Sequence, residues 1–199
     1  MHNLCFGGSF NPIHHGHLLC SQAVAGVRDV TRLLLIPSAT SPHKVGQADM
    51  ADADDRLAMC RLAVAGNPLF EVDDVEVRRS GPSYTIDTVR YLRTAKRWEH
   101  VNWLIGADQV AALPRWRESA ALLREVNFVV MARPGWSFDW HTLPPEFRVL
   151  QDHVVEAPLI DISATDIRRR VRAGEPIDQF VPPAVADYIR ERGLYRTPS

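Results

Sequence analysis

Short apolar runs alternate along this chain with stretches whose apolar positions recur at helical spacing. Asn3–Phe6, Leu33–Ile36, Leu69–Val77, Val101–Ile105, Phe128–Met131 and His153–Glu156 each read as a buried strand. The gaps carry helix signals. His17 to Val24 opens one helix, stopped near Gly26. Asp54-Asp55 opens a second that runs from Arg56 to Ala65, with Leu57, Cys60 and Val64 on one side, and Gly66-Asn67-Pro68 closes it. A stripe of Ile86, Val89 and Leu92 predicts a helix that begins near Ser83 or Thr85 and ends before Trp98. Pro114 announces another, continuing through Ala120 to Arg124, whereas the aromatic and proline-rich stretch from Gly135 to Phe147 reads as an irregular surface connection. Near the C-terminus Ser163 is placed to cap a helix that Gly174 ends, with the Asp166 carboxylate in its first turn to help satisfy free N–H groups. A last helix follows Pro182-Pro183 and stops at Gly193. Strand and helix in alternation predict an α/β domain built on a parallel sheet with helices on its faces. One domain over residues 1–199 is expected, with a helical C-terminal subregion from about 160 to 199.

Composition changes this picture little. A hydrophobic content of 46% suffices for a sizeable core. The net charge of −1 argues against a general affinity for nucleic acid. Cys5, Cys20 and Cys60 have no Cys-x-x-Cys spacing, and two lie inside apolar runs, which fits reduced thiols and a cytoplasmic location. No targeting segment or membrane-spanning run is recognised.

The chemistry begins where the first strand passes into the first helix. Phe6-Gly7-Gly8-Ser9-Phe10-Asn11-Pro12-Ile13-His14-His15-Gly16-His17 sets a glycine pair and two imidazoles at that junction. Glycines let backbone approach a ligand, and the N–H groups and positive dipole end of a helix favour an anion. His14 and His17, three apart, share a face and can point at one phosphate, while His15 points elsewhere. A Gly-Gly alone also fits a plain turn. A His pair alone also fits part of a metal site, but it offers two ligands where zinc takes three or four.

Gly8 to His17 resembles the G-x-F-x-P-x-H-x-G-H signature of the nucleotidyltransferase superfamily, and Ile162-Ser163-Ala164-Thr165-Asp166-Ile167-Arg168 resembles its I-S-x-T-x-x-R signature. Between them stand Pro42-His43-Lys44, Pro82-Ser83-Tyr84-Thr85-Ile86-Asp87-Thr88, Ile105-Gly106-Ala107-Asp108, Leu113-Pro114-Arg115-Trp116 and Ala132-Arg133-Pro134-Gly135. In that order, through Gly193-Leu194-Tyr195, the chain is similar to the bacterial nicotinate-mononucleotide adenylyltransferases over essentially its whole length. The resemblance implies a Rossmann-like, doubly wound sheet with a C-terminal helical cap. It implies adenylyl transfer from ATP to nicotinate mononucleotide, giving nicotinate adenine dinucleotide and pyrophosphate.

Site residues follow from the matched motifs. His14, His17, Lys44 and Arg168 are the candidate catalytic groups, the histidines on the transferring phosphate and the two cations on the departing pyrophosphate. ATP would meet Gly7, Gly8, Ser9, Phe10, His14, His17, Gly106, Asp108, Ile162, Ser163, Thr165 and Arg168. The mononucleotide would meet Ser9, Lys44, Ser83, Tyr84, Thr85, Asp108 and Trp116. Trp116 can stack on a pyridine ring, Asp108 can accept from a ribose hydroxyl, and backbone N–H groups near Thr85 and Trp116 can take the nicotinate carboxylate. Triphosphate chemistry implies Mg²⁺, which lacks a carboxylate cluster here and would be held through ATP phosphates, with no protein metal ligands. ATP and nicotinate mononucleotide are the expected partners, with no nucleic acid and no membrane; a homo-oligomer stays open. Competing readings are another acceptor, such as nicotinamide mononucleotide or pantetheine phosphate, a nucleotide sensor without catalysis, and a metal-binding hydrolase. The chain departs from the commonest family pattern at Asn11, Ser41 and Ala164.

Overall fold

A computed structural model describes residues 2–40 and 49–196. Six parallel strands form one sheet in the order β3-β2-β1-β4-β5-β6, where β1 is Asn3–Gly8, β2 Arg32–Pro37, β3 Phe70–Val72, β4 Asn102–Gly106, β5 Asn127–Ala132 and β6 Val154–Glu156. The order reverses at β1, with β2 and β3 built to one side and β4 to β6 to the other. That is the doubly wound arrangement, and its crevice lies at the carboxyl ends of β1 and β4.

Side-chain alternation explains why both faces are covered. Leu4, Phe6, Leu33 and Leu35 point into one core and Cys5, Leu34, Ile36, Trp103 and Ile105 into the other. On the first face pack α1 (His15–Val27) and α2 (Ala53–Val64). The short α3 (Val75–Arg78) follows β3, and α4 (Thr85–Thr94) covers the second face with Ile86, Val89 and Leu92, none of them exposed. Each such side chain contributes roughly 1.5–3 kcal/mol by its burial. The second face also takes α5 (Ser119–Glu125) through Leu122. In the C-terminal helical region α6 (Ala164–Arg172) and α7 (Pro183–Arg192) extend the layer begun by α1 and α2, sharing their core through Ile167, Val185, Ala186 and Ile189.

Three elements differ from the sequence expectation. The strand expected over Leu69–Val77 ends at Val72, because Asp73 turns the chain: its Oδ1 accepts from Val75 N at 2.9 Å and α3 begins there. The helix expected from Pro114 to Arg124 is broken. Leu113–Arg115 is a single 3₁₀ turn, Trp116 is extended, and Glu118 takes a left-handed φ of 51° before α5 starts. The irregular stretch after Gly135 contains two 3₁₀ segments, Trp140–Thr142 and Pro145–His153, which bury Phe147 and Leu150. No helix among the described residues is long and apolar enough to cross a membrane.

Candidate active site

The β1–β4 pairing runs through Cys5↔Trp103 and Phe6↔Leu104, and beyond it a cavity of about 840 Å³ opens along the carboxyl edge of the sheet. Glycine makes this possible. A Cβ at Gly7 would lie 2.8 Å from the Trp103 ring, and one at Gly8 would lie 3.1 Å from Phe10. Gly7 to Phe10, His14, His17, Ser83 to Thr85, Gly106, Asp108, Trp116, Ile162, Ser163, Thr165 and Arg168 all line this one space. Every site residue expected from the sequence is therefore gathered there except Lys44, which lies outside the described residues together with Ser41, Pro42 and His43.

His14 precedes α1 in extended backbone, and His17 stands in its first turn. Their rings stack with centroids 3.7 Å apart, and the edge of Phe10 meets His17 at 5.2 Å. Burial, with His15 nearby as a lesser cause, holds the His14 imidazole down at about 4. It is therefore neutral at pH 7, with Nδ1 buried and unbonded among the described residues. Gly16 leaves room for that ring: a Cβ there would sit 3.0 Å from His14 Nδ1. The helix start offers fewer backbone donors than the sequence suggests, because the His15 N–H already donates to the Phe180 carbonyl at 2.9 Å.

The second motif reaches the same space from α6. Ser163 caps the helix, its Oγ accepting from Asp166 N at 3.1 Å, and keeps its own proton to donate. The Asp166 carboxylate, expected to serve the helix N–H groups, instead accepts from Arg169 and Arg170 at 2.7–3.0 Å, because those guanidiniums lie one turn away on the same face. Arg168 is buried; one Nη donates to the Asn11 carbonyl at 2.9 Å and the other to Thr165 Oγ1 at 3.4 Å. This guanidinium thus ties the two motifs together.

Also on the cavity lining, Ser83 Oγ accepts from Ala39 N at 3.0 Å, and Thr85 begins α4. Arg117 lies over the Tyr84 ring at 4.6 Å. The backbone contribution expected near Trp116 is reduced: its N–H donates to the Leu113 carbonyl at 3.0 Å to close the 3₁₀ turn. The other backbone donor expected there, Thr85, stands at the start of α4. The Trp116 indole is half-buried on the cavity wall with its Nε1 buried and unbonded among the described residues. Asp108 is exposed in the cavity mouth, folded over Gly106, where a Cβ would meet its Oδ1 at 2.5 Å.

Sequence reasoning missed several residues that shape this site. Glu76, buried and pushed up mainly by that burial, lines the cavity and accepts from Thr88 Oγ1 at 2.6 Å. Asn11 accepts at Oδ1 from Ala51 N and Tyr195 Oη and donates from Nδ2 to Asp49 O, at 2.8–3.0 Å. The amide uses a donor that an aspartate at this position would lack. Arg56 sits four residues before Cys60 on the apolar face of α2, and a charge at that position was the one available signal. Among the described residues no group of three or more His, Cys, Asp or Glu could hold a metal ion. Among the described residues the only acids on the cavity wall are Glu76 and Asp108, a donor set that suits a divalent ion carried by triphosphate oxygens and water better than one held in a protein cage.

The model of the cytidylyltransferase-like family matches residues 5–170. A protein of Roseiflexus sp. named a probable nicotinate-nucleotide adenylyltransferase is 44% identical over 192 residues, covering 96% of each chain. One of Herpetosiphon aurantiacus with the same name is 40% identical over 193 residues, covering 95% of this chain and 96% of the other. Among solved structures, Plasmodium falciparum nicotinic acid mononucleotide adenylyltransferase complexed with NaAD superposes with a TM-score of 0.77 over 98% of each chain at 17% identity. That likeness is one of fold.

Proposed function

We propose that this chain, which belongs to the nicotinate-nucleotide adenylyltransferase family of cytidylyltransferase-like proteins, makes nicotinate adenine dinucleotide from ATP and nicotinate mononucleotide. A single cavity lined by the His14–His17 stack together with Ser83–Thr85 and Trp116 is the observation that supports this reading. Its volume, about 840 Å³, suits two nucleotides held end to end. The mononucleotide's phosphate oxygen attacks the α-phosphorus of ATP, the bond to the bridging β-oxygen breaks, and pyrophosphate leaves with that electron pair. The enzyme forms no covalent intermediate, so catalysis rests on positioning and on stabilising charge.

His14 donates to the transferring phosphate as a neutral imidazole, in keeping with its depressed basicity. His17 is assigned the larger share of transition-state stabilisation. Arg168 and Lys44 receive the pyrophosphate, Arg168 from a guanidinium already fixed by Asn11. A magnesium ion brought in on the triphosphate would supply neutralisation of phosphate charge, with no residue of this chain assigned as its ligand. Asp108 accepts from a ribose hydroxyl, Trp116 stacks on the pyridine, and the N–H at the start of α4 takes the carboxylate. We assign the protein one domain over residues 1–199 and a place in the cytoplasm.

Pyrophosphate release with ATP and each acceptor in turn tests the reading. Nicotinate mononucleotide should exceed the amide by at least about tenfold in kcat/KM, since setting an amide donor against a donor costs roughly 1–3 kcal/mol. Equal use of the two would leave adenylyl transfer standing and remove the acid preference. Release with pantetheine phosphate alone would replace the acceptor.

A further inference from the structure

Arg56 is 1% exposed, and among the described residues no carboxylate lies within ion-pair distance of its guanidinium. Four backbone carbonyls solvate it. Nε donates to Ala51 O at 2.9 Å, one Nη to both Ser9 O at 2.7 Å and Ser38 O at 2.6 Å, and the other Nη to Ala39 O at 2.8 Å. Burying an arginine without an acid is costly, and burial does pull this group down. A neutral side chain would have filled the space more cheaply unless the charge has a use.

The direction of the four bonds shows two uses. In a planar trans peptide the carbonyl and the following N–H point opposite ways. The Ser38–Ala39 peptide displays this: its carbonyl faces Arg56 and its N–H donates to Ser83 Oγ at 3.0 Å, at the pyridine end of the cavity. The Ser9–Phe10 peptide has its carbonyl on the same guanidinium, so its N–H is turned away from Arg56, beside the glycine pair that lines the phosphate end. One side chain therefore sets peptide planes at both ends of the site. Its positive charge also stands 2.7 Å from the oxygen of a cavity-lining residue, with no carboxylate among the described residues in ion-pair contact and Asp52 acting on it only from further off.

We propose that Arg56 is a positioning residue for adenylyl transfer: its planar fork fixes the Ser9–Phe10 peptide beside the glycine pair and, through the Ser38–Ala39 peptide, the Ser83 hydroxyl, and its charge, solvated by backbone carbonyls and not ion-paired, favours the triphosphate. This rests on the adenylyl-transfer reading above. Lysine keeps the charge and loses the fork, while methionine loses both. Arg56→Lys should hold the Kd for ATP, measured by calorimetry, within about threefold and lower kcat at least about tenfold. Arg56→Met should also weaken ATP at least about tenfold, and millimolar guanidinium should restore part of the turnover of Arg56→Ala. If methionine or alanine does not fold, Arg56→Gln and Arg56→Lys carry the same two readouts. A folded lysine variant with wild-type kcat would overturn the positioning role. ATP affinity unchanged in folded methionine or glutamine variants would overturn the electrostatic one, and losses that only follow the unfolded fraction would reduce Arg56 to a structural residue. ATP affinity is read without turnover, so failure of the wild-type enzyme to use either mononucleotide would count against the function and leave the electrostatic role of Arg56 to be decided on its own.

Discussion

The two ends of the cavity are built differently. At the end assigned to the phosphates the groups come from the sheet edge and from two helix starts, and a buried set among them is held by its neighbours: His14 stacks on His17, Arg168 binds the Asn11 carbonyl, and Arg56 binds Ser9. At the end assigned to the pyridine Ser83, Tyr84 and Trp116 stand on partly buried connections and Thr85 at a helix start, with Arg56 bracing Ser83 through Ala39, and Trp116 is reached through a broken helix and a 3₁₀ turn. Charge stabilisation demands donors that do not reorganise when charge develops, and a sheet edge supplies them. Recognition of a flat ring asks only for a face and one or two donors, which loops can supply. Damage at the first end should therefore appear in kcat and damage at the second in the KM of one substrate.

The sharpest test is His17→Ala. Removing a donor to the transition state should lower kcat by about a hundredfold or more with the fold intact, checked by steady-state pyrophosphate release and circular dichroism. Turnover near the wild-type value would take His17 out of the mechanism and weaken the rigid-end argument with it.

His14 offers a test that needs no substrate. Its ordinary value is 6.5 and burial lowers it to about 4, so between those values the unfolded chain binds a proton that the folded chain refuses. Stability contributed by the neutral ring is present above pH 6.5 and lost as pH falls through that window. The full effect is roughly 3 kcal/mol. Denaturant unfolding of the ligand-free protein at pH 7.5 and 4.5 should show the wild type losing about 2–3 kcal/mol more than His14→Gln. Identical slopes would mean that the ring protonates freely and that the phosphate end is open to water.

How far this contrast could be read in advance follows the same line. The phosphate end was legible because Gly8 to His17 is contiguous, so one strand-to-helix junction brings its groups together. The alternation of strands and helices gave the layers. Arg56 was not legible as a site residue: its partners are backbone carbonyls at Ser9, Ser38, Ala39 and Ala51, and carbonyls leave no mark on a residue pattern. The strand read through Val77 failed because an Asp73 side chain, binding locally, overrode the apolar alternation beyond it. Likewise the break at Trp116 was hidden within a helix-forming run, although it is the break that leaves the indole on the cavity wall.

Arg168→Ala lies between the extremes. It removes the proposed pyrophosphate ligand and the donor to the Asn11 carbonyl, a charge-assisted bond whose loss costs roughly 1.5–3 kcal/mol. The KM for ATP should rise by about tenfold or more while that for the mononucleotide changes little. Equal rises for both would mean that Arg168 acts on the shape of the whole cavity.

The smallest expected effect belongs to the end built on loops. Stacking of an indole on a pyridine ring adds about 0.5–1.5 kcal/mol beyond the area it buries, so Trp116→Ala should raise the mononucleotide KM about fivefold. The KM for ATP should stay as it is. Trp116→Phe separates the two features of the indole, since it keeps an aromatic face and loses Nε1, which is buried without a partner among the described residues. A phenylalanine variant close to wild type would assign the contribution to the ring face. A phenylalanine variant as poor as alanine would assign it to the N–H, with an acceptor on the mononucleotide as its partner. A fall in kcat with both KM values unchanged would break the division between the two ends, because Trp116 would then be acting on the transition state from a partly exposed turn.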